Sequence, residues 1–220
     1  MKIDICFLLD CTGSMGPWIQ AAKDHIFDIV RKTRQDTPSA EVRVAFVGYR
    51  DFGEKEPIIY HDFGNVDTVL DAIQDVLALG GDDEAEDVAG GLFHVRELSW
   101  EADAAKTLIH IADAPPHGRQ FHDAWVSDRF PGGDPNERNS LYVMGTLSED
   151  NIDYTFIKIT DTTNIMLQKF QDVYRGPGEF HVVDLRPQVS TGVYEFAPAV
   201  MRSVTHSIER YTVSQDPSAV

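Results

Sequence analysis

The residues best equipped for chemistry lie in Asp4-Ile5-Cys6-Phe7-Leu8-Leu9-Asp10-Cys11-Thr12-Gly13-Ser14-Met15. An apolar run halts at an acid, and two hydroxyl residues follow at alternate positions. Asp10, Thr12 and Ser14 together offer hard oxygen donors, the set that Mg²⁺ or a similar cation takes. The stretch lacks the lysine of a phosphate-binding P-loop. Two further acidic stops accompany it: the turn Gly80-Gly81-Asp82-Asp83-Glu84-Ala85-Glu86-Asp87, and Asp113 at the end of Ala105–Ala112. Any one of these acids alone reads equally as a helix cap. Three acidic stops at the ends of strands or just before helices point to one shared site. Arg50 and Asp51 end another apolar run, either as groups that orient ligands or as an ordinary ion pair at a strand end. His117 and His122, with Asp123, have zinc-ligand chemistry, but the spacing names no third and fourth ligands; histidines lining a binding face fit better. Phe121, Trp125 and Phe130 in the same region serve either as partner anchors or as pins to the core, and pinning is favoured.

The elements that must position these residues follow from hydrophobic periodicity. Strands are predicted over 3–10, 42–49, 57–60, 105–113, 154–159 and 181–185. Helices are predicted over 15–35, 66–79, a short stretch through Leu92, Val95 and Leu98, 163–174 and 192–211. Pro17 suits a first helical turn, and Pro57 suits an edge strand. Residues 114–140 read as a long loop with at most one short helix, a length that marks function or disorder. This alternation predicts an α/β, doubly wound, mostly parallel six-stranded sheet with one short antiparallel edge strand and helices on both faces. In such a sheet ligand sites gather at the carboxyl edge of the strands, where all three acidic stops fall. No repeat or linker interrupts the chain, so a single domain over 1–213 with a disordered tail at 214–220 is expected.

Bulk properties set further bounds. The chain has 220 residues, 42% hydrophobic and 25% charged, ample for one substantial core. Its 36 acids against 19 bases give a net charge of -17. That disfavours nucleic acid and anionic membranes, which both need basic patches. Cys6 and Cys11 stand about 16 Å apart along one strand, too far for a disulfide. Free thiols favour a reducing compartment. Lys2 leads directly into the first strand without a signal-peptide pattern, as in a whole or cleanly excised domain. No apolar run approaches the ~20 residues needed to span a bilayer. A cytoplasmic location is expected.

Asp10-x-Thr12-x-Ser14 at the end of a first strand resembles the metal-ion-dependent adhesion site (MIDAS) of von Willebrand factor type A domains. Ile109-His110-Ile111-Ala112-Asp113 resembles the strand that delivers that family's distal aspartate. The resemblance implies a Rossmann-like fold and a Mg²⁺ ion (or Mn²⁺ or Ca²⁺) held by Asp10, Thr12, Ser14 and Asp113. A partner protein then offers a carboxylate or other oxygen to the open position. The family's usual middle-loop threonine has no counterpart, because no threonine lies between Thr68 and Thr107. Counting back six residues from Leu92 reaches Glu86, which is taken as the replacement ligand. Asp82 is the alternative, with Asp83 beside it as a further candidate. A glutamate ligand adds charge, which tightens cation binding and weakens the pull on a partner's carboxylate. Gly48-Tyr49-Arg50-Asp51, the acidic turn and Ala112-Asp113-Ala114-Pro115-Pro116-His117-Gly118 are similar to the A domains attached to atypical α-kinases and their bacterial relatives, which are intracellular.

The expected function is a non-enzymatic, divalent-metal-dependent protein-binding module. The alternatives are a scaffold domain with a vestigial metal site and a Mg²⁺-dependent phosphohydrolase. The phosphohydrolase pattern needs an acid two residues after the first aspartate, where Thr12 stands. A nucleotide-binding Gly-x-Gly-x-x-Gly and a kinase glycine-rich loop are both missing from the 220 residues.

Overall fold

The computed structural model describes residues 1–186 and 192–215. The chain runs β1 (Lys2–Asp10), a single 3-10 turn (Gly13–Met15), α1 (Gly16–Asp36), β2 (Glu41–Tyr49), β3 (Ile58–Gly64), α2 (Val66–Ile73), α3 (Val88–Arg96) and β4 (Ala104–Ala112). It continues through α4 (Ser140–Glu149), β5 (Ile152–Lys158), α5 (Asn164–Val173), β6 (Phe180–Asp184) and α6 (Gly192–Ser214). The six strands form one sheet in the order β3-β2-β1-β4-β5-β6. All neighbours are parallel except β2 and β3, which pair antiparallel at the edge. The chain winds outward from β1 to β2 and β3, then returns to lay β4 on the other side of β1. That reversal opens a crevice above the carboxyl ends of β1 and β4, where sheets of this kind place ligands.

Alternation along β1 splits the core between the two faces. Ile3, Ile5, Phe7 and Leu9 pack with Ile26, Val30 and Val69, and with Phe196, Val200 and Val204 of α6. Cys6 and Leu8 face Val88, Leu92 and Val95 of α3, Val143 and Met144 of α4, and Phe170 of α5. Both faces of the central strands are therefore dry, which is why β1 reads as an unbroken apolar run. Cys6 and Cys11 are free and buried.

Three elements depart from the sequence reading. The helix expected over 66–79 ends at Ile73. Past it, the carbonyls of Gln74 and Val76 accept from Lys23 Nζ at 2.8 and 2.7 Å, and that of Leu77 accepts from Arg50 Nη2 at 2.9 Å. These long-range donors replace the helical ones and straighten the chain towards Gly80. The edge strand reaches Gly64 rather than stopping at residue 60, through an irregularity opposite Val44 and Phe46. Helix α4 has no sequence-predicted counterpart. Gly145 blurs its amphipathic pattern, but the Asn139 side chain caps it through Tyr142 N at 3.1 Å. Burial of Val143, Met144 and Leu147 then holds it. Residues 113–139 carry no regular helix. Ser214, read as the start of the tail, closes α6; residues 216–220 of that tail lie outside the described residues.

Candidate metal centre

Asp10 is the last residue of β1 and fully buried. One carboxylate oxygen accepts from the Thr12 amide at 2.9 Å and the Thr12 hydroxyl at 2.6 Å. This local turn fixes the loop and aims the hydroxyl at the acid. The other oxygen, Oδ2, is buried with no hydrogen-bond partner among the described residues. An orphaned buried carboxylate oxygen is costly and asks for an explanation. Beside it lies a cavity of about 310 Å³, lined by Thr12, Ser14, Gly81, Asp83, Glu86 and Asp113 among others.

Glu86 reaches this cavity from the loop before α3 and is 3% exposed. Its Oε2 is also buried without a partner. The loop is held by Glu86 N to the Pro115 carbonyl at 3.0 Å, Asp87 N to the Arg50 carbonyl at 3.3 Å, and Glu84 N and Ala85 N to the Ser127 carbonyl at 3.1 Å. Asp87 is spent on other work. It caps α3 through Gly90 N at 2.8 Å and pairs with Arg138 at 2.8 Å. Gly80 and Gly81 stand at φ +82° and +90°, a region that favours glycine. A Cβ on Gly81 would sit 3.3 Å from Glu86 Oε1 and 3.6 Å from Thr12 Cβ. The glycine pair therefore lets the chain turn beside both candidate ligands.

Asp113 follows β4, half-buried at the cavity wall. Thr160 and Thr162, beyond β5, donate their hydroxyls to its carbonyl, Thr162 at 2.7 Å. Both threonines also line the cavity. The sequence reading missed them. The available signal was a hydroxyl-x-hydroxyl pair just past another buried strand, at the same sheet edge as Thr12 and Ser14.

The electrostatics of the cluster are those of acids without countercharge. Burial, then Asp113, raises Asp10 to about 7. Burial, then Asp10, Asp51, Asp83 and Asp113, raises Glu86 to about 10. Burial also raises Asp113, against a hydrogen bond from Ser14. Several carboxylates crowd one pocket, and three of their oxygens, Asp10 Oδ2, Asp83 Oδ1 and Glu86 Oε2, lack donors among the described residues. A divalent cation would relieve both conditions, and the donors are the hard oxygens that Mg²⁺ prefers. The residues present fit such an ion.

The other sequence candidates fall elsewhere. Asp82 is exposed and pairs with Arg129 at 3.1 Å, away from the cavity. Asp83 does line the cavity; its Oδ2 accepts from Arg129 N at 2.6 Å, and its Oδ1 is buried without a partner. Arg50 and Asp51 do not form the strand-end ion pair. Arg50 is buried and spends its guanidinium on the carbonyls of Lys55, Glu56 and Leu77, at 3.2, 2.8 and 2.9 Å. Asp51 accepts from His117 Nε2 at 2.7 Å and Phe52 N at 2.6 Å.

The two histidines point inward. His117 and His122 are 4% and 6% exposed. His117 bridges Asp51 and Asp128, its Nδ1 lying 2.8 Å from Asp128 Oδ1. His122 Nε2 lies 3.0 Å from Asp128 Oδ2. Asp123 contributes only its carbonyl, 3.0 Å from His122 Nδ1, so the imagined His117, His122 and Asp123 zinc set does not form. Asp128, which the sequence reading passed over, is the centre of this cluster. Burial pulls His117 towards neutrality, but its hydrogen bonds to Asp51 and Asp128 outweigh it and leave its pKa raised. The cluster thus fastens the 113–139 loop beside the candidate metal centre. Phe121 pins the loop to the core beside Phe170, while Trp125 is 63% exposed.

Comparisons with known proteins agree with this architecture. A family model described as von Willebrand factor A domain matches residues 4–127. The alpha-protein kinase vwkA of Dictyostelium discoideum is 31% identical over 157 residues, covering 70% of this chain and 25% of that protein. The chain therefore spans about a quarter of the length of this curated relative. Among solved structures, the pilus adhesin SpaC from Lactobacillus rhamnosus GG superposes with a TM-score of 0.63 at 14% identity, over 92% of this chain and 30% of that one. The SpRpn10 VWA domain superposes with a TM-score of 0.58 at 17% identity, over 89% of this chain and 95% of that one. Likeness at such identities speaks to the fold alone. The sheet order, the acidic crevice above β1 and β4, and a family model that matches more than half of the residues lead to one conclusion: this chain belongs to the von Willebrand factor A domain family.

Proposed function

We propose that this chain is a divalent-cation-dependent protein-docking module without catalytic activity of its own. Mg²⁺ is the expected ion, held by Asp10, Thr12, Ser14, Glu86 and Asp113. A partner protein completes the coordination with an oxygen atom. The observation that carries this reading is the pair of buried, unpartnered oxygens, Asp10 Oδ2 and Glu86 Oε2, on acids clustered at one cavity. With Asp10, Glu86 and Asp113 all present, the bound ion is well neutralised. A carbonyl or hydroxyl from the partner then competes with a carboxylate better than at a less acidic site.

The kinase relative suggests the setting. Kinase activity belongs to that longer protein, and the part matched here spans only a quarter of it. We place this domain inside the cell as a docking arm, in line with its two free cysteines. Among the described residues no helix is long and apolar enough to cross a membrane.

Calorimetric titration with Mg²⁺ tests the reading. The wild type should bind one ion, and Asp10→Ala should lose it while keeping the far-ultraviolet circular dichroism of the fold. Equal heats from both proteins would exclude the site. Turnover of a phosphate ester that depends on Asp10 would overturn the non-enzymatic assignment.

A further inference from the structure

A second cluster of metal-ligating side chains lies at the opposite end of the sheet. Glu179 immediately precedes β6, His181 is its second residue, and His206 lies on α6. In this parallel sheet those positions are at the amino end of β6, whereas the candidate metal centre is at the carboxyl edge. Glu179 Oε2 lies 2.7 Å from His206 Nε2 and 3.2 Å from His181 Nε2. The two imidazoles meet edge to face, with centroids 4.9 Å apart and planes at 81°. One ligand atom from each residue falls within 4.8 Å of the others.

Two features separate this cluster from a simple ion pair. The first is His181 Nε2, which is buried and has no hydrogen-bond partner among the described residues, although Glu179 Oε2 is near. The contact lacks hydrogen-bond geometry, so one nitrogen lone pair or N–H is left idle and aimed into the cluster. The second is the fit to a known coordination shape. Ligand atoms 2.0–2.1 Å from a tetrahedral zinc stand about 3.3 Å apart. The 2.7 and 3.2 Å separations from Glu179 Oε2 need only a small expansion to reach that, and the ligand atoms of the two histidines lie within 4.8 Å of each other. Two nitrogens and one carboxylate oxygen also select a borderline transition metal over Mg²⁺ or Ca²⁺.

The backbone around the cluster is already fixed. Glu179 N donates to Asp153 Oδ1 at 2.8 Å, and the Glu179 carbonyl accepts from Tyr154 N at 2.8 Å. Arg210, one helical turn beyond His206, pairs with Asp153 at 2.6 Å and reaches Asn151 at 2.8 Å. Strand and helix therefore present their ligands without rearrangement.

We propose that Glu179, His181 and His206 form a zinc site that clamps α6 to the amino end of β6, with water in the fourth position. Binding exchanges the Glu179–His206 hydrogen bond for coordination and releases any proton held on the ligating nitrogens. The ion bridges the sheet and the helix at an exposed rim, beside the Arg210–Asp153 pair.

Zinc titration by calorimetry, in saturating Mg²⁺, tests the site on the whole chain. The wild type should bind one Zn²⁺ at micromolar concentration. His181→Gln and His206→Gln should each weaken it at least tenfold, and the double variant should abolish it. Asp10→Ala should bind zinc as the wild type does, which keeps this result separate from that of the Mg²⁺ site. Cobalt(II) should give four-coordinate visible bands that the double variant lacks, and zinc should slow amide exchange in α6. Zinc binding unchanged in the double variant, or lost in Asp128→Asn instead, would overturn the proposal.

Discussion

Glu86→Gln should stabilise the metal-free protein at neutral pH, and Mg²⁺ should cancel most of that advantage. Glu86 is 3% exposed, with Oε2 unpartnered and Asp10, Asp51, Asp83 and Asp113 nearby. Burial and these charges lift its pKa from 4.5 to about 10. Between those values the folded protein holds a proton that the unfolded chain releases. The associated stability is fully present below about pH 4.5 and is lost as pH rises towards 10. At pH 7 the loss spans 2.5 pH units, the difference between 7 and 4.5. At about 1.4 kcal/mol per unit this is on the order of 3 kcal/mol. Glutamine does not ionise in either state and escapes the loss. Urea unfolding in EDTA should therefore place the variant about 3 kcal/mol above the wild type at pH 7, with the gain shrinking towards pH 5. With Mg²⁺ at a hundred times its dissociation constant, the wild type gains about 2.7 kcal/mol by mass action. The neutral amide binds the ion less well and gains less, so the order should close or reverse. A variant less stable than the wild type in EDTA at pH 7, or a gain that ignores pH, would refute this account of the cluster.

Other expectations follow from neighbouring contacts. His117→Ala should cost about 3 kcal/mol in thermal unfolding, because it leaves Asp51 and Asp128 buried without their shared partner. Since the pKa of His117 is raised, its contribution should be complete below the ordinary histidine range and fade as pH rises through the raised value; melts at pH 6 and pH 9 would read the difference. Thr160→Val with Thr162→Val removes both donors to the Asp113 carbonyl and should weaken Mg²⁺ binding by about 1 kcal/mol, roughly fivefold, in calorimetry. Gly91→Ala would set a Cβ 2.6 Å from the Tyr49 ring and 3.0 Å from Leu8 Cδ1, so it should destabilise by about 2 kcal/mol in chemical denaturation.

The sequence by itself determined the sheet and the start of the site. Central strands buried on both faces must be continuously apolar, and a hydrophobic run such as Ile5–Leu9 is visible without any partner. Asp10, Thr12 and Ser14 lie within five consecutive residues, so their shared turn is local chemistry. Glu86 is suggested only by the resemblance to the family's middle-loop pattern, counted back six residues from Leu92; the structure sets it at the cavity wall. Tertiary structure decided what depends on distant segments. Helix α2 ends at Ile73, and Lys23 of α1 and Arg50, just past β2, take up the carbonyls of Gln74, Val76 and Leu77 beyond it. His117 and His122 turn inward because Asp128 and Asp51 meet them, and no periodicity links those positions. Thr160 and Thr162 reach Asp113 only through the pairing of β4 with β5. Glu179 and His206 meet only because α6 folds back over one face of the sheet. Periodicity reports which face of an element is buried; it holds no information on which distant polar group will stand opposite, and that is where this protein's ionisable clusters are made.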